Sequence, residues 1–371
     1  MFKRGKKALK SKEFLVSIFL LVLIGGMFFV FAASPNQPTL NYPSDGQTNV
    51  ELNPTLNVTV SDPDGDDMNV SFYEGSPWDL SYVSNDVKNI TPQEISSQDL
   101  FFKSDGTKLY EIGLFNDNIY EYSCSDAWNL TSCSYSSKSI NTQSTTPFGL
   151  FFKPDGTKLY EIGGNGDNGT MFEYSCSTPW DLTSCSPTKS INTQDEIPEG
   201  LFFKPDGTKL YEIDSYNYNI FEYSCSDAWN LTSCSYSSKT INTQSEHPSG
   251  LSFKSDGTKL YELGASEIFE YSCSTPWNLT SCSYNSKKAY LQSPSPEGIF
   301  FKPDGTKLYE IGINEDGIYE HTLSYFIEIE ENVLSGDYAT TLWSDLTEGI
   351  TYEWYVNVSD GKNHTISDIW N

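Results

Sequence analysis

A segment reading Lys-Pro-Asp-Gly-Thr-Lys-Leu-Tyr-Glu-Ile-Gly, or a near copy, occurs five times, with its Asp at Asp105, Asp155, Asp206, Asp256 and Asp304. The spacings are 50, 51, 50 and 48 residues. Self-similarity at that period means one supersecondary unit used repeatedly, because such a unit cannot bury its apolar face alone. In the second copy Gly149-Leu150-Phe151-Phe152 reads as a strand, and Pro154-Asp155-Gly156 reads as a tight turn. There Pro presets φ and Gly accepts the left-handed conformation. Lys158 to Ile162, Met171 to Cys176 and Ser184 to Gln194 supply three more strands. Four antiparallel strands in about 50 residues is the size of a propeller blade.

All eight cysteines lie in the repeats, as the pairs Cys124/Cys133, Cys176/Cys185, Cys225/Cys234 and Cys273/Cys282. Each pair flanks the turn between the third and fourth strands, where a hairpin sets its members opposite one another. Four local disulfides are expected. Metal binding is the weaker alternative, since zinc sites favour shorter spacings and histidine partners.

The chain here resembles secreted bacterial and archaeal β-propellers with repeats of the type Phe-x-Pro-Asp-Gly-Thr-Lys-Leu-Tyr-Val. The resemblance covers residues 76–324 and implies a propeller, but no particular activity, since that fold hosts unrelated functions. The ends of the region are incomplete in complementary ways. Leu323 takes a cysteine position after a third strand, and Val83, ending Ser76 to Val83, takes the partner position before a fourth. Both being apolar, they are expected to face each other in a blade made from the two ends. Five blades then close without an open sheet edge.

Outside the repeats, Leu56, Val58 and Val60 alternate with polar residues, as do Met68, Val70 and Phe72, and again Tyr352 to Val356. Strict alternation marks a sheet with one buried face. Leu346 with Tyr352 resembles the tyrosine corner of fibronectin type III and related immunoglobulin-like sandwiches. Residues 36–75 and 325–371 are each too short for a core, so one sandwich with the propeller inserted in a loop is expected. Its last strand has barely begun, over Ile366 to Trp370, when the chain ends. The expected fold class is thus all-β, a five-bladed propeller inserted in an immunoglobulin/fibronectin-III-like sandwich, plus one N-terminal transmembrane helix.

That helix is placed on Phe14 to Ala33, an uncharged apolar run preceded by a basic segment, residues 1–13. The pattern predicts a single-pass anchor with its N-terminus in the cytoplasm and the remainder at the cell surface. Cleavage after Val30-Phe31-Ala32 would instead give a secreted protein. The net charge of −27 repels phosphate backbones, which argues against nucleic acid. Sequons fall at Asn57, Asn69, Asn89, Asn129, Asn168, Asn230, Asn278, Asn357 and Asn363. Asn57, Asn69 and Asn357 are expected on the solvent face of their strands.

Chemistry is sparse. His247, His321 and His364 share no motif, and no nucleophile elbow or phosphate loop is present. Two glutamates recur in every repeat: Glu111, Glu161, Glu212, Glu262 and Glu310 in the second strand, and Glu121, Glu173, Glu222, Glu270 and Glu320 in the third. Rings of carboxylates could pair with the repeated Lys and Tyr or take hard cations. Asp62, Asp64 and Asp66 read as a polar turn or as a calcium site, and Ca2+ is the one cofactor candidate.

The turns of one propeller face are near copies, whereas the loops of the other differ. Those loops hold Phe115, Asp117, Asp167, Asp214, Tyr216, Tyr218, Glu267 and Asp316, and the loops around Phe148, Glu199, His247 and Glu297 vary with them. A selective binding face must be asymmetric, while drift in tolerant loops gives the same pattern. The leading expectation is a non-enzymatic, membrane-anchored binding or adhesion protein for an extracellular glycan or protein. A structural envelope component without a selective ligand and a propeller hydrolase are the rivals.

Overall fold

The computed structural model describes residues 32–84, 87–165, 168–313, 317–344 and 346–371, without the side chains of Asn165 and Asn168. The protein is all-β. Five four-stranded antiparallel sheets repeat along the chain, and two further sheets are built from its flanks. The first repeat sheet is Ser97–Phe102, Lys108–Gly113, Asn118–Cys124 and Cys133–Asn141. The second to fourth follow the same plan from Thr146–Phe152 to Cys282–Tyr290. The fifth takes Pro296–Phe301, Lys307–Gly312 and Ile318–Thr322 from late in the chain and Lys88–Ile90 from early in it. Ile318 pairs with Ile90, Tyr319 with Asn89 and Glu320 with Lys88.

Among the described residues helix is confined to five 3-10 turns, such as Leu130–Ser132, each burying its leucine. Each turn follows a tryptophan held at positive φ, namely Trp78, Trp128, Trp180, Trp229 and Trp277. These indoles cover the turn glycines Gly305, Gly106, Gly156, Gly207 and Gly257, where any Cβ would collide with the ring. That close approach is why the turn keeps Gly, beyond its φ of about +72 to +76°.

Four disulfides staple the hairpins around these turns. Cys124 is joined to Cys133, Cys176 to Cys185, Cys225 to Cys234 and Cys273 to Cys282, as the spacing predicted. In each case the two half-cystines are the last cross-strand pair of the third and fourth strands, as where Cys176 pairs with Cys185 and Cys225 with Cys234. Cys185 and Cys234 also cap the 3-10 turns Leu182–Ser184 and Leu231–Ser233. No cysteine is left free among the described residues, so the alternative of metal binding by these pairs does not stand.

Successive sheets are tied by one hydrogen-bond pattern. Lys108 and the Tyr110 hydroxyl donate to the Trp180 carbonyl. Lys158 and Tyr160 donate to Trp229, Lys209 and Tyr211 to Trp277, Lys259 and Tyr261 to Trp78, and Lys307 and Tyr309 to Trp128. The last of these returns from the fifth sheet to the first. The first strands also contact one another in sequence, and Pro296–Phe301 contacts Ser97–Phe102.

The flanks give a three-stranded sheet of Thr39–Tyr42, Thr55–Thr59 and Tyr338–Leu342. They also give a four-stranded sheet of Tyr325–Val333, Met68–Glu74, Trp354–Ser359 and His364–Ile366. One apolar core joins them, with Leu56, Val58, Val60, Met68, Val70 and Phe72 from before the repeats and Trp354, Val356 and Val358 from after. The Thr347 N–H donates to the Tyr352 hydroxyl at 3.0 Å.

One expectation is corrected. Among the described residues no helix is long and apolar enough to cross a membrane, so the single-pass cell-surface assignment does not stand. Residues 1–31, which hold the basic segment and nearly all of the apolar run, lie outside the described residues.

Candidate functional site

The recurrent glutamates are structural. Those of the second strand are buried, and four of them accept a tyrosine hydroxyl: Glu111 from Tyr122, Glu161 from Tyr174, Glu212 from Tyr223 and Glu262 from Tyr271. His321 stands at that tyrosine position in the fifth sheet, its Nε2 lying 3.3 Å from Glu310. The third-strand glutamates take the lysines, as Glu222 takes Lys209 at 2.8 Å and Lys239 at 3.0 Å. Among the described residues no group of three or more His, Cys, Asp or Glu could hold a metal ion. Asp62 instead accepts the N–H groups of Asp64 and Asp66, Asp66 pairs with Lys362 at 2.8 Å, and Asp64 accepts the Ala33 N–H.

The asymmetry lies elsewhere. The first strand of each repeat sheet carries a β-bulge, between Ser97 and Asp99, Pro147 and Gly149, Pro198 and Gly200, Pro248 and Gly250, and Pro296 and Gly298. The extra residue escapes the ladder and its side chain is re-aimed, a device common beside active sites. The backbone is the same five times, yet the bulged residues are Gln98, Phe148, Glu199, Ser249 and Glu297.

Three of these, Glu199, Ser249 and Glu297, line one cavity of about 400 Å³ with Ser215, His247, Ala265 and Ser295. The Ser215 hydroxyl donates to Glu199 Oε1 at 2.5 Å, and the Ser249 hydroxyl to the Pro296 carbonyl at 2.9 Å. Burial pushes Glu199 up to about 7, with the Ser215 bond opposing and the Asp214 charge assisting. Burial, then the Glu199 charge, pushes Glu297 up to about 8. Asp214, fully buried behind Ser215, is raised to about 6 by burial, against the N–H groups of Asn217 and Tyr216 and with the Asp195 charge adding to it. At neutral pH the cavity thus offers carboxyl oxygens that can both accept from hydroxyls and, where protonated, donate to them.

The pH dependence follows. Between the ordinary carboxylate range and these raised values the folded protein binds more protons than the unfolded chain. Stability therefore falls as pH rises from about 4.3 toward 8. The double variant Glu199→Gln/Glu297→Gln should flatten that decline by on the order of 1 kcal/mol per group, read from urea unfolding at pH 5 and pH 8.5. An unchanged slope would show that neither carboxylate is held protonated.

Of the other expected site residues, Phe115, Tyr216 and Tyr218 are exposed, at 70%, 57% and 42%, but none lines the cavity. Phe115 belongs to the first sheet's loop and the two tyrosines to the third's, so they form no single cluster. Glu267 is spent on Lys288 at 2.6 Å, and the Asp117 backbone carbonyl accepts from Thr142. Asp167 and Asp316 lie outside the described residues, as does the Asn168 side chain. The sequon asparagines are mostly engaged. Asn230 and Asn278 accept from Lys189 and Lys239, and Asn363 donates to the Ala32 carbonyl. Asn57, placed above on the solvent face, is half-buried and accepts from Asn41, and Asn357 has a buried side-chain oxygen. The half-cystines, Cys185 and Cys234 among them, line neither this cavity nor the apolar one described below. Glu199 and Glu297 were visible in sequence only as variable loop residues. The one signal in the sequence for the break in ladder register that groups them with Ser249 is the Pro-x-Gly frame around Phe148, Glu199, Ser249 and Glu297.

No family model matches the chain, and no curated protein matches it. Among solved structures it is similar to a functionally unknown protein from Desulfotomaculum acetoxidans, at 11% identity over 81% of this chain and 99% of that one, with a TM-score of 0.40. It is also similar to a candidate 6-phosphogluconolactonase from Bacteroides uniformis, at 13% identity over 64% and 72%, TM-score 0.37. A luciferin-regenerating enzyme is similar at 14% identity over 68% and 97%, TM-score 0.42. Likenesses this low carry no argument about activity.

Proposed function

We propose that residues 76–324 form a closed five-bladed β-propeller inserted in an immunoglobulin/fibronectin-III-like sandwich, and that the protein binds an extracellular glycan at the variable-loop end. The pairing of Lys88–Ile90 with Ile318–Thr322 and the tryptophan-carbonyl bonds running from the fifth sheet back to the first support the closure. Four disulfides suit an oxidising compartment. One observation carries the binding reading: five equivalent bulges bear four different side chains, and three of the five residues line a single polar cavity. A purely structural unit has no need of such divergence at its most constrained backbone position. Sugar hydroxyls match the paired acceptors and donors of Glu199, Glu297, Ser215 and Ser249.

A glycan array with the oxidised protein should give a selective set of ligands. Glu199→Gln/Glu297→Gln should weaken the best of them at least about tenfold, as expected for loss of buried polar contacts. Self-association with no selective ligand would favour the envelope-component reading. Equal binding by the double variant would remove the cavity from the account.

A second reading, hydrolysis of the bound glycan, is favoured by the same pair. General acid catalysis needs a carboxyl still protonated near neutral pH beside a second carboxyl, and Glu297 and Glu199 supply both. Oligosaccharide cleavage that stops in each single Gln variant would replace binding by catalysis.

A further inference from the structure

At the core of the repeat sheets the first strands present one aromatic position. It is Phe101, Phe151, Phe202 and Phe300 in four sheets and Ser252 in the remaining one. The four rings meet edge to face. Phe300 and Phe101 have centroids 5.1 Å apart at 71°, Phe101 and Phe151 5.1 Å at 66°, and Phe151 and Phe202 5.3 Å at 70°. Among the described residues that series stops at Phe202, because the next position is a serine. Beside it lies a cavity of about 290 Å³ lined by Phe101, Phe151, Phe202, Ser252, Phe253 and Phe300. Pro154, Pro205, Ser255 and Pro303 line it at the repeated turns, and Glu199, Gly200, Ser249 and Gly250 line it at the bulges.

We propose that this cavity is a binding site for a small aromatic ring, which takes the place of the missing fifth phenylalanine. The neighbours define the ligand. A ring seated between Phe202 and Phe300 would meet each as Phe151 meets Phe202, with its positive edge to a negative face, the arrangement aromatic pairs prefer. Saturated rings of equal size lack that quadrupole and gain only the burial. The size is sufficient, since an apolar cavity of about 150 Å³ already stays dry and takes benzene. Nothing in the pattern asks for a charged group. The two acidic groups of the lining are already used: Asp99 accepts the N–H groups of Leu100 and Leu150, and Glu199 accepts the Ser215 hydroxyl. Glu199 and Ser249 line both cavities, so the two sites adjoin, and the Ser252 variants, which alter only the apolar one, let this proposal and the carbohydrate reading fail separately.

The probe is benzene, with cyclohexane as the saturated control, added to the intact oxidised protein and followed by ligand-observed NMR and thermal unfolding. Benzene should bind with a raised unfolding midpoint, and cyclohexane several-fold more weakly. Ser252→Phe supplies the ring from the chain itself. It should abolish benzene binding and raise the midpoint by roughly 2–4 °C without ligand. Ser252→Leu, a smaller filling, guards against a clash in the first variant and should weaken benzene at least about tenfold, while Ser252→Ala should bind it as well as the wild type. No benzene binding to the wild type would overturn the proposal. So would equal affinity for cyclohexane, or undiminished binding in whichever filled variant folds.

Discussion

Replacing both Val83 and Leu323 by cysteine is expected to create a fifth disulfide and to stabilise the protein more than any native bridge does. The backbone at both positions already matches the four native sites. The Leu323 N–H donates to the Thr306 carbonyl at 2.9 Å, as the Cys124 N–H does to Thr107. Val83 caps the 3-10 turn Leu80–Tyr82 just as Cys133 caps Leu130–Ser132. The Ser84 N–H donates to the Thr322 carbonyl at 2.9 Å, at the place where Ser134 pairs with Ser123 in the first sheet. Leu323 is fully buried, and Val83 packs against the cluster that contains it. The native bridges each close a loop of sequence separation 9, whereas this one would close about 240 residues. In the chain-entropy account the gain grows with loop length and approaches about 5 kcal/mol here. Mass spectrometry after alkylation should find no free thiol in the double variant and one in each single variant. Two free thiols in the oxidised double variant would separate the chain ends and sink the five-bladed closure.

The sharing of the fifth sheet between the two ends was legible because the repeat is nearly exact, so that a missing cysteine at each end identifies a common unit. The strand register of the flanks was legible for a similar reason: Leu56, Val58 and Val60 alternate, and all three are buried. The bridges of Cys185 and Cys234 to their partners were legible because a constant spacing across a hairpin leaves each cysteine one near neighbour. What sequence could not reach was anything set by one strand's offset against another. Glu199 and Glu297 sit in bulges framed by Pro and Gly, but that frame does not say which bulged side chains meet in one cavity. Asp214 looked like a loop carboxylate, yet it is buried at the end of its strand. The pairing of the glutamates with the repeated Lys and Tyr was legible, as Tyr122 bonds Glu111 and Lys209 bonds Glu222 within one sheet, but their bonds to the next sheet's turn were not, as when Glu121 accepts the Leu182 N–H. The apolar run before residue 32 read as an anchor on composition alone, and no described helix supports it.

Glu222→Ala should be among the most damaging single changes in the repeat sheets. This carboxylate is 1% exposed and holds three donors: Lys209 at 2.8 Å, Lys239 at 3.0 Å and the Leu279 N–H at 2.9 Å. The last belongs to the next sheet's 3-10 turn, so one side chain joins two sheets. Removing it leaves the Lys209 ammonium with the Trp277 carbonyl but no counter-charge, and the Leu279 N–H with no acceptor. Breaking a buried pair in this way costs about 3–5 kcal/mol. Glu222→Gln keeps an acceptor for Leu279 but not the charge, and should fall between alanine and wild type. Glu270 is the internal control. It pairs with Lys259 at 3.0 Å, but its Oε2 is buried without a partner, so Glu270→Ala forfeits less and should cost less. The acid limit gives a second check. Burial raises the Glu222 pKa, but the bonds from Lys209, Leu279 and Lys239 outweigh it and leave the group below its usual value. Its contribution is then complete above the ordinary carboxylate range and is lost as pH falls through the depressed value. The gap between wild type and Glu222→Ala in urea midpoint should be widest near neutral pH and shrink in acid. A gap that stays constant into strong acid, or a Glu270→Ala cost equal to that of Glu222→Ala, would mean that the intersheet bond is not what the carboxylate contributes.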